Sequence, residues 1–70
     1  MEQNYRITIF TAEGVIEGNF YKKEIAISTI VEFKKRYDDF IIGIVSEKIY
    51  GKWNTICSIS NGRNKIIHNI

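Results

Sequence analysis

The chain has 70 residues, a net charge of +2 and 44% hydrophobic residues, which suits one small folded domain over residues 1–70. A chain of this length buries only about 60% of the surface that its unfolded form exposes, so its core is thin. Its one cysteine and one histidine, Cys57 and His68, exclude an intrachain disulfide and cannot complete a four-ligand structural zinc site. Small domains without these supports depend on tight packing or on oligomerisation.

Composition also predicts where the protein works. The first 20 residues carry charges throughout and contain no continuous apolar segment, so we expect no signal peptide. No stretch approaches the roughly 20 apolar residues of a membrane span, so we expect no membrane partner. A single thiol suits a reducing, cytoplasmic setting. The chain has many isoleucines, asparagines and lysines and no proline, which indicates a bacterial or phage genome of low GC content.

The N-terminal part of the chain predicts a β-hairpin. Residues 5–11 and 15–21 alternate apolar and polar side chains, as half-buried strands do. A two-residue loop at positions 12–13 would pair Ile9 with Ile16 and bring the apolar residues of both strands to one face.

One helix is predicted within residues 22–38, with residues 29–37 its surest part, because apolar residues recur there at helical spacing. Two starts are open. Thr29 followed by Glu32 has the spacing of a capping box, which would begin the helix late. A start at Lys22 would give a longer helix of about four turns.

Three strands are predicted to follow the helix. Residues 40–50 read as a long strand, Gly51-Lys52 as a tight turn, and residues 53–60 as the returning strand. Asn61-Gly62 is a strong signal for a type I′ turn before a last strand over residues 63–70. The order β-β-α-β-β-β predicts an α+β domain, in which an antiparallel sheet of two hairpin-linked units packs on one helix.

The two predicted turns imply a register that places Ile44 opposite Ile59 and Cys57 opposite Ile66. One face of the last three strands then comprises Ile42, Ile44, Tyr50, Trp53, Cys57, Ile59, Ile66 and Ile70. The opposite face comprises Ile41, Val45, Ile49, Ile56 and Ile67. Because one helix covers only one face, the second set either contacts a partner or lies inside a strongly curled sheet. We expect that set to form an interface with another protein or with a second copy, most simply in a homodimer.

Basic residues supply the main alternative. A nucleic-acid interface would use phosphate contacts, with Trp53, Tyr50 or Tyr37 stacking on bases. Its candidate contacts are Lys34, Lys35, Arg36, Arg63 and Lys65. Asp38 and Asp39 partly cancel the charge at the first cluster, and a solvated helix end is the more frequent explanation of such a cluster.

No catalytic motif, cofactor site or metal site is predicted. Cys57 lies between apolar neighbours in a strand, as buried structural cysteines do, and the implied register places Thr55 rather than Cys57 opposite His68. The leading hypothesis is therefore a non-enzymatic protein-interaction or regulatory module of an accessory or inhibitor type. The alternative is a small nucleic-acid-binding protein.

Overall fold

The computed structural model describes residues 2–60 and the backbone of residues 66–68. The elements follow the chain in the order β1 (Tyr5–Thr11), β2 (Gly14–Phe20), α1 (Lys23–Arg36), β3 (Phe40–Ile49), β4 (Lys52–Ser60) and β5 (Ile66–His68). They form one sheet in the order β2-β1-β3-β4-β5, with every neighbouring pair antiparallel, and α1 packs on one face of it. The predicted α+β class and element order are confirmed.

The first hairpin has the predicted register, with Ile9 opposite Ile16. Its turn is held by the Thr11 hydroxyl, which donates to the carbonyl oxygen of Gly14 at 2.9 Å and accepts from the Glu13 N–H at 3.2 Å. Such local side-chain bonds satisfy backbone groups that a turn leaves unpaired. The end of the hairpin is thus a defined structure.

The helix α1 begins at Lys23, so the longer of the two predicted helices is correct. The Thr29 hydroxyl donates to the carbonyl oxygen of Ile25 at 2.7 Å, one turn back inside the helix, and does not act as a cap. Ala26 and Ile30 are fully buried against the sheet. The helix ends at Arg36, and the N–H of the capping residue Tyr37 donates to the carbonyl oxygen of Phe33 at 3.0 Å.

The helix packs tightly against the sheet at Gly43. A β-carbon built on Gly43 would lie only 2.5 Å from Cγ2 of Ile30, a separation that non-bonded carbon atoms essentially never show. Glycine therefore leaves the space that the Ile30 side chain occupies. Gly43 lies in β3 between Ile9 of β1 and Ile59 of β4, both buried, so this contact is at the centre of the core.

The second hairpin turns one residue earlier than predicted. Its two central residues are Tyr50 and Gly51, with φ of 51° and 78°, and Ile49 pairs with Lys52. Positive φ at both central positions identifies a type I′ turn, the form that suits the twist of a hairpin. The sequence indicated Gly51-Lys52 because glycine was assigned to the first position of the turn, whereas it occupies the second.

Two β-bulges change which residues share a face. Phe10 pairs with Ile42 and Thr11 with Phe40, which leaves Ile41 without a partner in β1. A bulge inserts one residue into the alternation, so side chains beyond it change faces relative to the partner strand.

The second bulge lies in β4. Val45 pairs with Cys57 and Ser46 with Thr55, so Ile56 is the inserted residue. Because regular alternation was assumed through Ile56, Val45 and Cys57 were predicted on opposite faces of the sheet. That prediction is wrong. The two residues are opposite each other and both are buried under the helix.

The predicted strand registers are corrected accordingly. Ile44 lies opposite Ser58, and Ile59 lies opposite Gly43. Ile42 and Ile44 therefore face away from the helix, while Ile59 faces it. In the last pair of strands Cys57 lies opposite His68 instead of Ile66, a shift of two residues. The predicted Asn61-Gly62 turn lies outside the described residues.

We predict that Gly43→Ala destabilises the fold by about 1–3 kcal/mol, the usual range for overpacking a core. The matched control is Gly18→Ala in β2, where the added β-carbon meets the Phe20 ring at an ordinary 3.4 Å. Urea unfolding of both variants measures the difference. Combined with Ile30→Ala, the Gly43→Ala substitution should cost less than it does alone. Equal urea midpoints for the two glycine variants would show that Ile30 can move aside.

We also predict that Tyr50→Asn stabilises the protein by about 1 kcal/mol, since a left-handed conformation is costly for tyrosine and mild for asparagine. Tyr50 is 99% exposed, so its side chain loses no packing in the exchange. The free energy of unfolding, measured in urea, should rise for Tyr50→Asn and fall for Gly51→Val. A fall for both variants would contradict the turn type.

Candidate functional site

The strand β2 forms an open edge of the sheet. It pairs with β1 on one side, no strand formed by the described residues lies on its other side, and most of its residues are exposed. Edge strands are commonly protected from further pairing by lysine, proline or a bulge. β2 has none of these, and Glu17 is its single charged residue. We call this strand, Gly14–Phe20 with its unpaired backbone groups, the β2 edge.

A cavity of about 250 Å³ opens beside the start of the β2 edge, on the helix side of the sheet. The first hairpin contributes Thr11, Glu13, Gly14, Val15 and Ile16 to its wall. The end of the helix and the segment after it contribute Phe33, Tyr37 and Asp39. We call it the hairpin–helix cavity.

One hydrogen bond joins the two sides of the hairpin–helix cavity, and an aromatic contact orders one of them. The Ala12 N–H donates to the carbonyl oxygen of Asp39 at 2.9 Å, which ties the hairpin turn to the segment after the helix. Phe33 and Tyr37 stack with their ring centroids 4.2 Å apart and 27° between their planes. The cavity is therefore lined by a preformed aromatic pair.

The charge of the hairpin–helix cavity is negative. Two acidic residues, Glu13 and Asp39, are among its lining residues, and no lysine or arginine is among those described. Aromatic rings beside carboxylates attract organic cations, because the face of a ring is electronegative. The cavity thus combines aromatic and acidic lining residues.

Exposed apolar side chains lie along both ends of the β2 edge. Val15 and Ile16 are exposed near its start, and Tyr21 and Ile25 are exposed just beyond its end. Scattered apolar residues on a surface are ordinary, but a set gathered along an unpaired strand marks a site of association.

The five residues predicted to share an interface do not form one surface. Val45 belongs to the core, and Ile56 is half-buried against it at the β4 bulge. Ile41 and Ile49 are exposed at opposite ends of β3. The backbone of Ile67 lies opposite Ser58, and its side chain is outside the described part of the structure.

Three of the five predicted nucleic-acid contacts fall within the described residues. Lys35 and Arg36 both pair with Glu32, at 3.9 and 3.5 Å, and Lys34 lies beside them in the last helical turn. Arg63 and Lys65 lie outside the described residues.

A third cationic group lies on the sheet face away from the helix and was not predicted. The guanidinium of Arg6 lies 4.2 Å from the centroid of the Trp53 ring, and the ammonium of Lys48 lies 5.9 Å from it. Only the strand order brings β1 and the second hairpin close enough for this contact.

The titratable groups with shifted pKa values favour their neutral forms. Burial raises the pKa of the Cys57 thiol, and the charge of Lys23 lowers it to a smaller extent. The Tyr5 hydroxyl donates to Oε2 of Glu47 at 3.1 Å, which raises the Tyr5 pKa. A raised pKa lowers the fraction of each group that is ionised at neutral pH.

Metal and membrane sites were also sought. Among residues 2–60 and 66–68, no group of three or more His, Cys, Asp or Glu residues is placed to hold a metal ion. The one helix of the described chain is too short to cross a membrane. Comparison with known proteins yields no match among family models, curated proteins or solved structures.

We predict that Cys57 reacts slowly with a thiol reagent in the native protein, because it is buried and its raised pKa lowers the thiolate fraction. The labelling rate should rise with pH. Because the thiol pKa is raised, this rise should occur at a higher pH than it does for a free cysteine. The same reaction in concentrated urea is the control and should be fast. A native rate equal to the unfolded rate would place the thiol at the surface.

Proposed function

We propose that this protein is a small non-enzymatic protein-interaction module that associates with a second copy of itself by joining the two β2 edges. The observation that carries the proposal is the β2 edge itself, a seven-residue strand with one open side and no protecting residue except Glu17. Joined edges extend one sheet into the other through backbone hydrogen bonds, a common mode of protein recognition.

The two-fold symmetry of a homodimer suits an antiparallel edge. A two-fold axis perpendicular to the sheet brings two β2 strands together in opposite directions and presents the same surface from both copies. Both helices then lie on the same side of a continuous sheet. The exposed apolar residues beside β2 in one copy face those of the other.

Stability supplies the second argument. The described core comprises eight buried hydrophobic residues, a small number for an independent domain. Covering Val15, Ile16, Tyr21 and Ile25 in a dimer would remove apolar surface from water at about 25 cal/mol per Å². Association therefore compensates for a core that the short chain cannot enlarge.

The proposed biological role follows from size and composition. A chain of 70 residues with an interaction edge suits an accessory, regulatory or inhibitor protein of a bacterium or a phage, acting in the cytoplasm. The sheet face that carries Arg6, Lys48 and Trp53 remains available in this dimer for a further protein partner.

The nucleic-acid alternative has weaker support. Glu32 neutralises part of the charge of Lys35 and Arg36, and the Arg6 guanidinium covers one face of the Trp53 ring, where a base would stack.

We predict that the native mass of the protein is twice the 8.2 kDa of the chain and that its melting temperature rises with protein concentration. Ile16→Lys, a change in the β2 edge, should convert the dimer to monomer. The matched control is Ile49→Lys, since Ile49 has nearly the same exposure, 44% against 43%, but lies at the far end of β3. Analytical ultracentrifugation measures both masses.

Three results would contradict this proposal. A monomer at ~100 μM with a melting temperature independent of concentration would exclude self-association. Dissociation by Ile49→Lys with retention of the dimer by Ile16→Lys would place the interface at the second hairpin. If neither substitution dissociates the dimer, the interface lies on another surface.

A further inference from the structure

We propose that the hairpin–helix cavity receives Lys22 of the second copy, so that the two β2 edges pair with Gly18 on the two-fold axis. The inference rests on the proposed dimer and adds its register. It is carried by the acidic, aromatic lining of the cavity and by its position beside the start of the β2 edge.

Symmetry leaves few registers. In a two-fold antiparallel pair one residue lies opposite its own copy, and three choices near the middle of β2 give a substantial overlap: Ile16, Glu17 and Gly18. With Glu17 on the axis, two carboxylates oppose each other directly, which is destabilising. With Ile16 on the axis, the overlap extends toward residues 12–13, where the chain already turns away.

With Gly18 on the axis, Ile16 lies opposite Phe20 of the second copy, and both residues are on the helix side of the sheet. Val15 lies opposite Tyr21, which joins two exposed apolar side chains on the other side. The Phe20 ring already lies over Gly18, with its edge 3.4 Å from where a β-carbon would be. The two Phe20 rings would therefore meet near the axis.

The same register places Lys22 of one copy opposite Gly14 of the other. Lys22 has an extended backbone, with φ of −129° and ψ of 140°, and it is exposed. We infer that the alternation of β2 continues past Phe20 to this extended residue, which places the Lys22 side chain on the helix side. A β-carbon at Gly14 would meet nothing within 4 Å, so the space above Gly14 is open for an incoming side chain.

Charge and reach favour lysine as the occupant. Its four-carbon stem is longer than the spacing of about 4.8 Å between paired strands, so the ammonium group can reach the cavity from the neighbouring strand. The carboxylates of Glu13 and Asp39 provide opposite charge, and the Tyr37 and Phe33 rings provide a surface for a cation. Because the dimer is symmetric, the contact occurs twice.

Charge exchange tests the contact. Glu13→Lys and Lys22→Glu should each raise the dimer dissociation constant by about tenfold, the sum of two partly exposed charge contacts. The double variant Glu13→Lys/Lys22→Glu restores the opposite charges and should return within about threefold of the original constant. Lys52→Glu, a reversal at an exposed site in β4, is the control and should leave the constant unchanged. Circular dichroism verifies that each variant is folded.

A cysteine series tests the register independently of charge. Only a residue on the axis lies next to its own copy, so Gly18→Cys should form an intermolecular disulfide faster than Ile16→Cys or Glu17→Cys. Cys57 can stay in place because it is buried.

The outcomes separate the two proposals. A monomeric original protein overturns the dimer itself. If the protein is a dimer but the charge variants have the same dissociation constant as Lys52→Glu, the edge dimer stands and the placement of Lys22 in the cavity is overturned. The same conclusion follows if the disulfide forms fastest at Ile16→Cys or Glu17→Cys. Rescue by the double variant together with fastest cross-linking at Gly18→Cys supports both.

Discussion

The contact between Ile30 and Gly43 sets the distance between helix and sheet, and the rest of the described structure depends on it. Any side chain at Gly43 would occupy the space of the Ile30 Cγ2 atom. Because glycine leaves this space, the helix approaches closely enough to bury Ala26 completely as well. The helix lies mainly over β1 and β3 and reaches β2 less. The same packing that completes the core therefore leaves the β2 edge and the adjoining cavity open.

The two β-bulges determine which residues of the later strands enter the core. Ile41 is an inserted residue in β3 relative to β1, and Ile56 is an inserted residue in β4 relative to β3. Each insertion changes the side of the sheet on which the following residues lie. The result gathers Val45, Cys57 and Ile59 beneath the helix. A strictly regular sheet would have divided these residues between two faces and required a second cover. The bulges thus reduce the unpaired apolar surface and confine much of what remains to the neighbourhood of β2.

A thin core and an open edge have one physical explanation. A short chain can surround one helix with only a few strands, so one strand ends as an edge and some apolar residues stay exposed. In the proposed dimer this deficit becomes the means of recognition, since each edge supplies the missing neighbour of the other. The acidic cavity and Lys22 then select one register of the two β2 strands, because charges discriminate among registers that backbone hydrogen bonds alone would accept equally.

The sequence by itself determined the element types, their order, the first hairpin and the α+β class, because alternation, helical periodicity and turn residues are local properties of the chain. It did not determine which residues of the later strands share a face, since a bulge at Ile56 carries no local signal and changes the register by one. It also left the candidate site unseen, although the near absence of charge in β2 was a visible sign. Only the tertiary structure decided that β2 lies at an edge and that Phe33, Tyr37, Glu13 and Asp39 meet, because strand order and helix position arise from packing between segments distant in sequence.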